Sequence, residues 1–376
     1  MRPHICRKSS APRYPQYTDH GKEYRTMKKE IRIGSRTLSH SSPVFVVAEV
    51  SANHNQDYGR ALEIIHAAAG AGADAVKMQT YTADSITIDC DDPCFQIKEG
   101  TIWDGLTLYQ LYSQASTPWE WQPRLKEEAN RLGMEWFSSP FDLASVDFLA
   151  GMDVPAFKIA SYEINDIPLI RKAARLHKPM IFATGIAYPE DIGRALDTCR
   201  EEGNEEVILL KCVSSYPTPY EEINLNMIPT LSRTWDCLTG ISDHTMGTIV
   251  SASSVALGVR MVEKHLTLRR SDGGPDSSFS MEPEEFAQMV RDIRIMEKAL
   301  GQSEYALTET QKLERGDSRS LFVVKDIAAG EVLTPENIRS IRPADGLHTM
   351  YYEDVLGKRA RTFLKKGTPL QWELIR

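Results

Sequence analysis

The feature that most limits what this chain can fold into is a regular alternation. Eight short runs rich in Val, Ile, Phe and Ala occupy positions 44–49, 73–79, 135–138, 156–160, 180–183, 207–211, 238–242 and 261–265. Between them lie segments with apolar residues at helical spacing, such as GRALEIIHAAAGAG, DIGRALDTCREEG and EEFAQMVRDIRIMEKALG. Glycines at 72, 133, 203 and 258 stand where such helices would end. Strands that alternate with helices run parallel, because each helix carries the chain back across the sheet. Eight such units over roughly 250 residues predict an α/β fold, a closed (β/α)8 barrel of the TIM type. An open doubly wound sheet would ordinarily carry a Gly-rich phosphate loop after its first strand. The segment VSANHNQ that follows the first run has no glycine.

Two stretches depart from the rhythm. The segment between the second and third runs is long and holds Phe95, Trp103, Tyr109, Tyr112, Trp119 and Trp121. A long loop after a barrel strand lines the C-terminal face, where barrel enzymes carry their sites. These aromatics either cover a pocket or pack the loop against itself. The barrel pattern, from residue 27, ends at Gly301; residues 302–316 are polar and predict a linker. Residues 317–376, with short alternating runs and glycines at 330, 346, 357 and 367, predict a small, mostly-β domain. Residues 1–26 are polar and basic and lack the apolar core of a secretory signal. They read as a disordered extension or an early start codon, with an Arg-rich transit peptide as the sharper alternative. KKEIRIGSRTL, just after Met27, reads as a strand.

Composition removes several function classes. A net charge of −8, from 44 Lys and Arg against 52 Asp and Glu, argues against nucleic-acid binding. No run reaches the ~18 apolar residues of a membrane helix. Six cysteines are too few for a disulfide scaffold and point to a reducing cytoplasm. Cys90 and Cys94 read as loop thiols, because no second pair follows at zinc-site spacing.

Polar residues gather where the predicted strands end. In chain order they are Glu49; Lys77 and Gln79; Ser138 and Ser139; Lys158 and Ser161; Thr184; Ser214 and Tyr216; Ser242, Asp243 and His244; then Glu263, Lys264 and His265. Two ammonium groups at one mouth repel unless negative charge lies between them. With Ser139, Ser161 and backbone N–H groups, Lys77 and Lys158 suit a phosphate, a carboxylate, or both on one molecule. Glu49, Glu163 and Glu263 offer the other solution, Lys–Glu pairs inside the barrel. His244 and His265 end successive strands, about 4.8 Å apart, so their imidazoles can share a divalent cation. Glu49 ends the strand that closes the barrel beside His265. Two imidazoles with oxygen donors suit Mn, Zn or Fe more than Mg. Otherwise one imidazole is a base and the other sits in a core hydrogen bond. His54 and Cys212 are weaker candidates, and His66 and His177 read as structural.

The segments EVSANHNQ, KMQTYTAD, FSSPFD, FKIASYE, ATG, SSYPTPY, GISDHT, EKHLTL and GGPDSSFS occur in this order. Together they resemble the sialic acid synthase family, whose barrel is followed by an antifreeze-like (SAF) domain. The resemblance implies a transferase that joins phosphoenolpyruvate to the aldehyde of an N-acetylated amino sugar and releases phosphate. KMQTYTADSITID and GTIWDGLTLYQLYSQASTPWEW resemble the pseudaminic acid synthase branch, which implies 2,4-diacetamido-2,4,6-trideoxy-altrose as the sugar. N-acetylneuraminate or legionaminate synthesis is the alternative within the family, and a pyruvate-dependent metal aldolase a remoter one. A non-catalytic carbohydrate- or ice-binding protein fits poorly with so loaded a barrel mouth. By motif, Lys77, Ser139, Lys158, Ser161, Ser214, Tyr216 and Ser242 match phosphoenolpyruvate-binding positions. Ser214 departs from the Asn that many relatives carry. His244 and His265 match ligands of a divalent metal, usually Mn²⁺, and with Glu49 they are the implied catalytic residues. Gln79, Glu163 and Asp276 match positions around the sugar. Arg342 matches an arginine that reaches a partner chain's active site, which implies a domain-swapped homodimer.

Overall fold

A computed structural model describes residues 27–98, 100 and 103–376. The expectations for residues 1–26 lie outside the described residues. The chain divides into two compact units, one ending at Gly301 and the other spanning Gln302–Arg376.

The first described elements are an antiparallel hairpin, β1 (Glu30–Ile33) and β2 (Arg36–Ser39). The sequence suggests one strand here. Gly34 makes the difference: its positive φ of 57° allows a tight reversal that few other residues would tolerate. The next eight strands are β3 (Phe45–Glu49), β4 (Ala75–Thr80), β5 (Glu135–Pro140), β6 (Phe157–Ile159), β7 (Met180–Ala183), β8 (Val207–Cys212), β9 (Leu238–Asp243) and β10 (Met261–His265). They form a closed, all-parallel barrel, with β10 beside β3. Each predicted run became one strand, with ends moved by a residue or two.

Side-chain alternation splits every strand between two cores. Val46, Ala48, Val76, Met78, Trp136, Phe157, Phe182, Leu209 and Val262 pack outward under the helices. Phe45, Val47, Ala75, Phe137, Ile181, Ile208, Leu210, Leu238 and Met261 pack inside with Ile31, Ile33 and Leu38 of the hairpin. Phe45 and Met261 open their strands, so the hairpin packs at the N-terminal end of the barrel. The same inward phase, continued toward the C-terminal ends, changes from apolar to polar: Val47 to Glu49, Ala75 to Lys77 and Gln79, Phe137 to Ser139, Met261 to Glu263 and His265. The barrel therefore has a greasy floor and a charged mouth.

The long segment after β4 is more regular than a loop. It contains helices Ala83–Ile86, Leu108–Ala115 and Gln122–Arg131. Thr82 with Ser85 and Thr107 with Gln110 cap the first two reciprocally, which satisfies otherwise orphaned backbone N–H groups. In the C-terminal unit, β11 (Ser320–Val323) pairs antiparallel with β12 (Ile338–Ile341). Leu321, Val323, Ile327, Leu333, Ile338, Val355, Leu364 and Leu370 form its core. Residues 302–316 include a helical stretch, Glu309–Glu314, capped by Thr308. Among the described residues no helix is long and apolar enough to cross a membrane.

Candidate active site

The inward polar residues form two tiers. The deeper tier is a four-charge cluster. Lys158 Nζ donates to both carboxylate oxygens of Glu263 at 3.1 Å. Lys77 Nζ lies 2.8 Å from Glu49 and 3.7 Å from Glu263, and donates to Ser139 Oγ at 3.3 Å. Ser242 Oγ donates to Glu263 at 2.9 Å. All of these side chains are buried. Two cations face two anions, so the tier is electrically balanced, which is the condition for burying it. Burial pushes the Glu49 carboxyl up, against the pull of Lys77. Burial pushes Glu263 the same way, but Lys158 and Lys77 outweigh it and hold that carboxyl low. Burial lowers Lys158, aided by the nearby charge of Lys77. The sequence left phosphate cradle and Lys–Glu pairing as alternatives; the geometry contains the pairs. An ammonium has three N–H groups, so pairing with a carboxylate leaves donors for a ligand above.

The upper tier holds the imidazoles. His244 and His265 have ring centroids 5.2 Å apart. His244 Nδ1 lies 2.9 Å from the Val213 carbonyl, a contact that requires Nδ1 to carry the proton and leaves Nε2 as a lone pair. Burial works against charge on His244, but the Cys212 sulfur 3.9 Å away and that carbonyl outweigh it, so a cation there competes with a proton. Burial and the neighbouring His244 push His265 well below the usual histidine range, which keeps it neutral. His265 Nδ1 is buried without a hydrogen-bond partner among the described residues. Tyr216 and Phe279 wall the pair, with Tyr216 4.5 Å from His244 and Phe279 5.1 Å from His265. Two neighbouring imidazoles, with Nε2 of His244 left as a lone pair, fit a divalent transition metal. No third His, Cys, Asp or Glu among the described residues completes a cage, so remaining positions would fall to water or substrate oxygens.

A third feature lies across the mouth. Ser161 Oγ accepts a hydrogen bond from the Gly185 N–H at 3.2 Å, and Ser214 Oγ is buried with no hydrogen-bond partner among the described residues. A Cβ on Gly185 would overlap Ser214 Oγ and come within 2.8 Å of Ser161 Oγ and 3.2 Å of Ser214 N. Glycine thus permits a close-packed notch where the backbone meets the hydroxyls of Ser161 and Ser214. Ser161 Oγ itself donates to Cys212 Sγ at 3.6 Å, so Ser214 Oγ is the hydroxyl left to offer an anion.

The remaining predicted residues are spread over other segments. Gln79 Nε2 donates to Glu49 at 3.1 Å and to Ser51 Oγ at 2.8 Å. Asp276 accepts from the Ala52 N–H at 3.3 Å, and burial raises its carboxyl. Glu163, on the short turn after β6, is raised by burial to about 7, and its buried Oε2 has no hydrogen-bond partner among the described residues. Arg342 is exposed, in the C-terminal unit just after β12.

Within this geometry the comparisons with known proteins become decisive. A model of the NeuB family matches residues 64–305, and a SAF domain model matches 318–376. The chain belongs to the NeuB family. It is 44% identical over 329 residues to the pseudaminic acid synthase of Helicobacter pylori, covering 87% of this chain and 96% of that protein. It is 33% identical to an N,N'-diacetyllegionaminic acid synthase of Legionella pneumophila, covering 91% and 97%. The N-acetylneuraminic acid synthetase of Leptospira borgpetersenii, solved with citrate, superposes with a TM-score of 0.68 at 30% identity, over 77% of this chain and 96% of that one.

Within this NeuB barrel several sequence readings need correction. Ser138, Asp243 and Lys264 do not face the mouth. Their positions alternate with the inward residues, so Ser138 bonds Thr80 at 2.7 Å and Lys264 bonds Asp243 at 2.8 Å under the helices. His54 is not a ligand: both ring nitrogens are engaged, by Thr117 Oγ1 and the Gln56 N–H, and burial lowers it to about 4. His177 lies past the end of its helix, with φ at +51°. Of the loop aromatics, Trp103 reaches the mouth, 6.1 Å from Tyr216, and donates to the Pro275 carbonyl. Trp119 and Trp121 pack on Phe148 and on His54 and Tyr58. Sequence reasoning missed Gly185 and Phe279 and undervalued Glu263, the shared partner of both lysines.

Glu163 gives a pH test that needs no ligand. Its folded carboxyl titrates near 7 rather than near 4.5. The folded state therefore holds more protons in that window, and stability falls as pH rises through it. Glu163→Gln removes the effect, worth up to about 3 kcal/mol. The variant should melt several degrees above the parent at pH 8 and level with it at pH 5. Parallel Tm curves for the two proteins would rule out a raised Glu163.

Proposed function

We propose that this NeuB-family chain is a pseudaminic acid synthase, which condenses phosphoenolpyruvate with 2,4-diacetamido-2,4,6-trideoxy-altrose and releases phosphate. The observation that carries this reading is a paired-imidazole, paired-lysine barrel mouth in a chain 44% identical to a pseudaminic acid synthase across 87% of its length. Lys77 and Lys158 hold the carboxylate and phosphate of phosphoenolpyruvate from below, and Ser139, Ser242 and Tyr216 complete its walls. Ser161, Ser214 and the backbone at Gly185 cradle the phosphate. Glu163, Asp276 and Gln79 surround the sugar. A divalent cation on His244 and His265, Mn²⁺ by preference, would supply Lewis acidity at the sugar's aldehyde oxygen. Holding the two substrates in register removes much of the entropic barrier to joining C3 of phosphoenolpyruvate to the aldehyde carbon. Water then adds at C2, and the C2–O bond to phosphate breaks. Glu49, whose carboxyl is raised by burial and which sits beside Lys77, places and deprotonates that water.

Exposed Tyr162, Ile186, Tyr188, Tyr220 and Ile249 lie on the segments that leave the C-terminal ends of β6 to β9. We read these side chains as the seat for the C-terminal unit of a second copy, which brings Arg342 to the sugar.

The substrate assignment is tested by feeding phosphoenolpyruvate with each of three sugars and Mn²⁺: the altrose derivative, the legionaminate precursor and N-acetylmannosamine. Phosphate release should be fastest with the altrose derivative by at least about tenfold, the discrimination a few misplaced groups produce. In ¹⁸O-water the released phosphate should carry no ¹⁸O. Faster turnover of another sugar would reassign the substrate. Product formation from pyruvate without phosphate would make the protein an aldolase.

A further inference from the structure

Outside the barrel wall, under the helices, lies a second buried ion pair that the reaction does not use. Lys264 Nζ donates to Asp243 Oδ2 at 2.8 Å and also to the Thr245 carbonyl. Asp243 Oδ1 accepts from Thr245 N–H at 2.9 Å and Oγ1 at 2.7 Å, and Ser251 Oγ donates to Oδ2 at 2.6 Å. Asp243, Thr245, Ser251 and Lys264 are all essentially inaccessible to solvent. Lys264 and Asp243 are register partners across β10 and β9. Each immediately precedes a mouth histidine, His265 and His244.

We propose that Asp243 and Lys264 are positioning residues that clamp the ends of β9 and β10 at the spacing two metal-ligating imidazoles require. The inference rests on the reading that His244 and His265 hold a divalent cation. Its physical basis is an asymmetry between those two rings. His244 is oriented by its own hydrogen bond to Val213. His265 Nδ1 has no such bond among the described residues, and its ring is placed by packing against Phe279 and His244 and by its backbone. Ligating histidines are usually steered by a partner on their second nitrogen. Here the backbone carries that task, and Lys264 ties it to the turn after His244 through the Thr245 carbonyl. A pair kept only for stability would be a poor choice, since apolar replacements of buried ion pairs often cost little or even stabilise. The β9–β10 ladder fixes the register up to Lys264 and Asp243. What an apolar pair would lack is the directional bonds that carry this order past the ladder to the Thr245 turn.

The test is a Mn²⁺ titration of the full chain by electron paramagnetic resonance, without substrates. Asp243→Leu with Lys264→Met replaces the clamp by apolar side chains. Thr245→Val removes one bond to Asp243 and is run beside it, in case the double variant does not fold. His244→Ala is the reference for loss of the site itself. The expected result is Mn²⁺ affinity at least tenfold weaker in the double variant and a few-fold weaker in Thr245→Val, in proteins that melt near the parent temperature. A more heterogeneous bound-Mn²⁺ spectrum should accompany it. Parent-like affinity and spectrum in folded variants, with His244→Ala defective, would overturn the clamp and leave the metal site standing. Parent-like affinity in His244→Ala would remove the metal reading, and the clamp's purpose with it.

Discussion

Gly185→Ala should raise the KM for phosphoenolpyruvate about 100-fold while leaving the protein folded. The reason is local and steric. Gly185 does not occupy a left-handed conformation, so alanine is compatible with its backbone. The added Cβ, however, enters the notch between Ser161 Oγ and Ser214 Oγ, and approaches Ser214 N to 3.2 Å. A phosphate oxygen that accepts from Ser214 would be displaced. Hydrogen bonds to a charged group are worth about 1.5–3 kcal/mol each, so losing one or two accounts for an effect of that order. The sugar's KM should move far less, because Gln79 and Asp276 lie across the mouth from this notch. Ser214→Ala should give a smaller rise with no steric component. A parent-like KM for phosphoenolpyruvate in Gly185→Ala, measured by initial rates of phosphate release, would move the phosphate away from this notch.

The barrel was legible because each of its eight strands is a short apolar run bounded by helices of clear 3.6-residue period. The mouth was legible in outline because polar residues at the ends of such runs are expensive unless they serve something. Parity was the signal left unused. Inward positions repeat every second residue, so Ser242 and His244 share a face that Asp243 cannot, and Glu263 and His265 share one that Lys264 cannot. Applied strictly to the amino-acid sequence, that rule assigns Glu263 to the interior and the Asp243–Lys264 pair to the helix side. Other features had no local signature. The notch at Gly185 exists because three segments converge, and ATG alone does not announce it. The hairpin at residues 30–39 differs from a strand by a turn at Gly34, and its place at the N-terminal end of the barrel follows from long-range packing of Ile31, Ile33 and Leu38. His54 stood as a weaker candidate because its partner Thr117 lies 63 positions away.

Arg342→Ala and Lys158→Gln should each be nearly inactive alone, down about 1,000-fold, and should recover activity when mixed. A substrate-binding cation removed from a desolvated site costs several kcal/mol, which sets that scale. The glutamine at 158 can still donate to Glu263, so the deeper tier keeps a partner for that carboxylate. In a dimer whose C-terminal units are exchanged, each mouth is built from Lys158 of one chain and Arg342 of the other. An equal mixture that exchanges freely contains heterodimers as half its population, and one of the two mouths in each is intact. About a quarter of parental activity should therefore return, with a time course set by subunit exchange. If Arg342 served its own chain's barrel, both mouths of the heterodimer would carry a defect, and mixing would restore nothing. If Arg342 served no mouth at all, Arg342→Ala alone would remain active. The exposed aromatic and aliphatic side chains on the segments after β6 to β9 are the surface on which such an exchange would close, because clustered exposed apolar side chains are where proteins meet partners.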